Sequence, residues 1–194
     1  MRFLWSFLVL TLRQPGVAAR NILLRQWPSE AVWTGLFLAI TLNTFSYTLL
    51  NYWYPLVDEL SFLNFSTGTY LGISALMSLG FAATLSIGGR FLGGTGRFMP
   101  MLTLLVWLQL VQMVVQTMLI AVTVLSPALG SLLSLIANVF LFFVLLNFVN
   151  EAHGFASLWR ALAVVVMATI LVFFAMIFVV GLIGPDTIGL PENV

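Results

Sequence analysis

The chain has 194 residues, 61% of them hydrophobic and only 7% charged, against roughly a quarter charged in an ordinary soluble domain. Its mean hydropathy of +1.12 marks a polytopic membrane protein. Five crossings of about 20 residues each would use roughly 100 residues, leaving tails and short loops but no soluble catalytic domain. The absence of cysteine and the single histidine exclude a disulfide framework, a thiol nucleophile and most zinc sites, and a net charge of +1 gives no reason to expect nucleic acid as a partner.

In chain order, Phe3 to Leu12 is the first apolar run. On a helix Arg2, Ser6 and Arg13 share one narrow face, with Leu4, Trp5, Leu8 and Leu12 elsewhere around it. An in-plane interfacial amphipathic helix fits this pattern, as does a cap packed on the bundle. Pro15 and Gly16 end this helix before a second short one leads to Trp27. A signal-peptide reading, with Val17-Ala18-Ala19 as cleavage site, is rejected because cleavage would strand Arg20 and Arg25 outside.

Five long apolar runs follow, near 29–50, 70–87, 99–125, 129–148 and 159–183. They are continuous and long, so helices rather than barrel strands are predicted. Ser126 and Pro127 make the connection between the third and fourth a tight turn. The predicted fold is therefore all-α: an N-terminal helical segment over 1–27, a five-span transmembrane bundle over 28–184, and a short external tail over 185–194.

Arginine sets the expected orientation, since cytoplasmic loops carry an excess of basic residues. With the N-terminus inside and the C-terminus outside, Arg2, Arg13, Arg20, Arg25, Arg90, Arg97 and Arg160 all fall on the inner side. The outer side holds Asp58, Glu59, Asp186 and Glu192, while Glu30 and Glu151 are the inner acids. A wrong span count would scramble this segregation. Tyr47, Tyr52, Tyr54 and Tyr70 gather at the outer interface, with Trp27, Trp33 and Trp159 at the inner one.

Three groups of residues stand out within this frame. Gln109, Gln112 and Gln116 form a polar stripe on the third span, expected to act as interhelical glue with Asn43 of the first span and Ser131, Ser134 and Asn138 of the fourth. Ser74, Ser78, Ala82 and Ser86 recur every four residues on the second span, a small-residue ladder for close helix packing. Gly72-Ile73-Ser74-Ala75 also matches the serine motif of intramembrane proteases, but His153 lies on the other side of the membrane from Ser74, and no catalytic residue is assigned.

The inner loops form the third group. The glycine-rich segment with Arg90, Gly93, Gly94, Gly96 and Arg97 lacks the ending of a phosphate-binding P-loop, and is expected to meet anionic headgroups or a partner. The loop from Asn147 to Arg160, with Asn150, Glu151 and His153, is expected to be solvated or partner-facing. It has too few ligands for a metal site, and no metal or cofactor is expected.

Gly93-Gly94-Thr95-Gly96-Arg97-Phe98 before the third span, and the Asn-rich end of the fourth followed by Glu151-Ala152-His153-Gly154-Phe155, resemble the Yip family of Ypt/Rab-interacting polytopic membrane proteins. The resemblance runs from about Gln14 to Ile183. It implies five spans, a cytoplasmic N-terminus and an adaptor or organiser role without a defined reaction. The Asp-Leu-Tyr-Gly-Pro motif and long N-terminal region of eukaryotic members are lacking, so a short bacterial member in the inner membrane is expected. The expected function is a non-enzymatic integral membrane protein that binds lipids, other integral membrane proteins or a second copy of itself. The alternative is a small-solute transporter or channel with a Gln-lined path, which the lack of charge inside the spans and of an inverted repeat disfavours.

Overall fold

The computed structural model describes residues 2–53 and 65–183. Asp58, Glu59, Asp186 and Glu192, the acids expected on the outer side, along with Tyr54 and the tail 185–194, lie outside the described residues. Among the described residues seven helices follow one another: α1 (Arg2–Arg13), α2 (Pro15–Leu24), α3 (Ser29–Trp53), α4 (Thr67–Phe91), α5 (Phe98–Leu125), α6 (Pro127–His153) and α7 (Leu158–Ile183). No strand occurs among the described residues.

The helix limits follow local chemistry. Pro15 takes the first position of α2 and Pro127 that of α6, where the missing N–H costs no hydrogen bond. Ser66 caps α4 by accepting from the Thr69 N–H at 3.1 Å, so this helix starts earlier than its hydropathy suggests. The helix α6 runs on through Asn150, Glu151 and His153, residues expected in a loop. Nothing breaks it before Gly154, which adopts the left-handed conformation (φ 65°) and donates to the Asn150 carbonyl.

Five helices, α3 to α7, are long and apolar enough to cross a membrane, with stretches of 21 to 28 residues. At a rise of 1.5 Å per residue these extend beyond the roughly 30 Å hydrocarbon core. Arg25, Arg90, Arg97 and Arg160, with Arg20 paired to Glu151, lie at one end of the five-helix bundle, the end reached by the start of α3, α5 and α7 and the finish of α4 and α6.

The central helix is α5. One side of it places Met101, Leu102, Leu105 and Val106 in a core shared with α3, α4 and α7. Its other side places Leu104, Leu108 and Val111 against α2 and α6, where Ala19, Ile22 and Phe148 close a second core. Buried positions on α5 stop at Val111, although the helix continues to Leu125. Packing is therefore dense at the arginine-bearing end and open at the other.

The amphipathic α1 also docks onto this dense half. Phe7 meets the Trp107 ring edge-on at 5.0 Å, and the Trp107 Nε1–H donates to the buried Thr11 hydroxyl at 3.0 Å. On the remaining surface, large apolar side chains such as Phe37, Leu135, Phe173 and Phe174 are exposed, as a lipid-facing surface requires.

This division predicts how truncations act. Phe148 is 1% exposed whereas Phe173 is 58% exposed. Phe148→Ala should cost about 3–5 kcal/mol, read by thermal or denaturant unfolding in lipid nanodiscs. Phe173→Ala should cost much less, because the lost contacts are with acyl chains that refill the gap.

Candidate functional site

Two polar constellations interrupt the apolar bundle. The first is at the arginine-bearing end, around His153, the last residue of α6. Its side chain is 2% exposed. The Gly96 N–H donates to Nδ1 at 3.0 Å, and Nε2 lies 3.1 Å from the Leu85 carbonyl oxygen. Because Nδ1 accepts, the proton belongs on Nε2, which donates to Leu85; both bonds are met by one neutral tautomer. The His153 carbonyl in turn accepts from the Thr95 N–H at 3.2 Å, and Phe155 stacks on the imidazole with centroids 5.0 Å apart.

Three glycines make room for this ring. A Cβ at Gly89, Gly94 or Gly96 would overlap the imidazole of His153. The glycine-rich segment therefore wraps the histidine instead of lying free. This corrects the expectation that His153 and Gly96 face solvent or a partner: both are buried against each other, since an uncharged imidazole with both nitrogens bonded is stable away from water. Gly94 is half-buried in the same contact, while Gly93, Arg90 and Arg97 are exposed.

Neighbouring residues brace the junction. The Asn150 side-chain oxygen accepts from the Ser157 N–H at 2.9 Å, where α7 begins. Glu151 turns toward α2 and pairs with Arg20, whose Nη2 lies 3.1 Å from Oε1. No group of three metal-ligating side chains is gathered among the described residues. With both ring nitrogens committed, His153 positions backbone and has no nitrogen free for acid–base work.

The second constellation lies in the open half. Asn43, Ser46 and Tyr47 of α3, Tyr70 of α4, and Gln109, Gln112, Gln116 and Thr117 of α5 line a cleft of about 360 Å³. The stripe read from the sequence thus faces one space, but it does not act as one unit. Gln109 donates through Nε2 to the Ser78 hydroxyl at 2.9 Å, joining α5 to α4. Gln112 and Gln116 are exposed and make no hydrogen bond among the described residues. Asn138 stands apart on α6, exposed and outside the cleft, so the expected pairing between it and the stripe is not formed.

The small-residue ladder divides similarly. Ala82 and Ser86 are buried, Ala82 in the core with Ala161, Val164 and Ala168 of α7. Ser78 receives Gln109, and Ser74 is half-buried. The role of Ser78 as acceptor was not legible in the sequence, where it looked like one small residue among four.

A family model described as the Yip1 domain matches residues 9–180, which takes in α2 to α6, most of α7 and the C-terminal part of α1. No curated protein and no solved structure matches the chain.

Two mutational outcomes test these assignments by thermal unfolding. His153→Ala leaves the buried Gly96 N–H without its partner, so it should destabilise by about 1–3 kcal/mol for that unpaired group, while the Leu85 carbonyl keeps its place in the α4 ladder. Gly96→Ala should also lower stability, through collision with the ring. In the cleft, Gln109→Leu should cost about 0.6 to 2 kcal/mol for the bond to Ser78, whereas Gln112→Leu should leave stability unchanged or raise it.

Proposed function

The chain belongs to the Yip family, and on that premise we propose that it is a non-enzymatic membrane organiser whose arginine-bearing face, turned to the cytoplasm, binds anionic lipid and the inner faces of other integral membrane proteins. The observation that carries this reading is the state of the arginines. Arg20 is taken up by Glu151, but Arg90, Arg97 and Arg160 are exposed and make no ion pair among the described residues.

Their positions are also held. Arg90 lies in the last turn of α4 and Arg97 precedes α5, so the His153 junction sets the segment between them. A basic side chain near an anionic leaflet gains about 1 kcal/mol of attraction, and several at one level act together. The same bias supports the orientation, because the arginines share one end. A non-enzymatic role is supported by the sole histidine, whose nitrogens are both used in holding the fold.

Two measurements test the proposal. A reporter fused after Val194 should read as outside and one inserted beside Gly93 as cytoplasmic; the opposite pair of signals overturns the orientation. Once orientation is verified, Arg90→Ala/Arg97→Ala should keep stability within about 0.5 kcal/mol, as surface changes do. The same variant should recover less phosphatidylglycerol when extracted with its native lipid. Full lipid recovery together with a markedly lower melting temperature would assign the two arginines to the fold instead.

A further inference from the structure

The polar cleft between α3 and α5 is used neither by the packed core nor by the arginine-bearing face. We infer that it is a binding site for a neutral polyhydroxyl group, a sugar or glycerol moiety, held by the amides of Asn43, Gln112 and Gln116 beside the stacked rings of Tyr47 and Tyr70. This goes beyond the organiser role and stands or falls separately from it.

Three observations lead there. First, the amides are unspent: Asn43, Gln112 and Gln116 line the cleft, and none makes a hydrogen bond among the described residues. In the hydrocarbon region an unpaired amide is costly, so three converging on one hollow point to a group that fills it. Gln109, by contrast, is already bonded to Ser78.

Second, the lining is uncharged, as it contains no Asp, Glu, Arg, Lys or His. An ion entering it would lose its hydration without gaining a counter-charge. A primary amide offers two donors and an acceptor, which matches hydroxyl groups that each both donate and accept. At about 360 Å³ the space lies at the lower end of small-molecule sites.

Third, one wall is rigid. The Tyr47 and Tyr70 rings stack at 3.9 Å and 3°. The Tyr47 hydroxyl is anchored by the Phe65 N–H, which donates to it at 3.0 Å. This wall presents ring surface suited to the C–H face of a sugar, whereas the Tyr47 hydroxyl is already occupied. Toward the arginine-bearing end the α3–α5 seam closes over buried Leu36, Ile40, Leu105 and Val106. The cleft is therefore a blind site and not one mouth of a conduit.

A polyhydroxyl group could come from a free solute or from a glycolipid headgroup, and the experiment separates the two. The full chain in phosphatidylcholine nanodiscs, prepared without sugar-based detergent, is probed with methyl α-glucoside by saturation-transfer NMR and with monoglucosyl diacylglycerol by native mass spectrometry. Saturable binding of either is expected, and which one binds names the source. Glucuronate, the same ring with a carboxylate, should bind at least about tenfold more weakly for want of a counter-charge. Gln112→Leu/Gln116→Leu, and Asn43→Leu as an independent variant, should each weaken binding by about tenfold per lost hydrogen bond, with melting temperature in the absence of probe not lowered. Absence of saturable binding by both probes, or binding unchanged in both variants, overturns the inference. So does a smaller particle mass for the double variant, which would show that a helix from a second copy occupies the cleft.

Discussion

A single buried imidazole holds together the ends of four membrane helices. His153 finishes α6, its Nδ1 receives the N–H of Gly96 just before α5, and its Nε2 reaches the carbonyl of Leu85 near the end of α4. Its own carbonyl takes Thr95, and Phe155 of the link to α7 stacks on its face. The Gly96 N–H is buried and needs a partner, and a short loop between α4 and α5 has no helix or ladder to supply one. The ring supplies it, provided that nothing larger than hydrogen stands on Gly89, Gly94 and Gly96. The glycines of this segment thus serve close approach more than flexibility.

From that junction the density of the bundle falls off along its length. Leu85, Met101, Val149 and Val164 form a continuous core beside it, and α2 lays Ala19 and Ile22 over the neighbouring α5–α6 seam. Past Val111 the helices no longer bury side chains on α5, and polar residues line the space between them. The two halves suit different tasks. A tight end holds charges in fixed positions, whereas an open end offers unspent hydrogen-bonding groups.

Charge follows the same division. Glu151 lies two positions from His153, yet its carboxylate points to Arg20 of α2 and ties the amphipathic segment to α6. Such a partly exposed pair contributes at most about 1 kcal/mol to stability, so its clearer effect is orientation. Among the described residues no carboxylate pairs with Arg90, Arg97 or Arg160 on the surrounding surface.

Much of this architecture was legible in the sequence because hydropathy and helix punctuation are properties of neighbouring residues. Continuous apolar runs specified five helices, Ser126-Pro127 the tight connection, and the distribution of arginine the common end. The family resemblance could likewise be read from Gly93–Phe98 and Glu151–Phe155 before any fold was known. What could not be read was which side of each helix meets which neighbour. His153 binds groups 57 and 68 positions away, and Gln109 chooses Ser78 on α4 while Asn138 on α6, equally polar, faces outward. Rotation of a helix about its own axis is decided by the joint packing of all its neighbours, a few tenths of an ångström at a time, and no local pattern of residues carries that information.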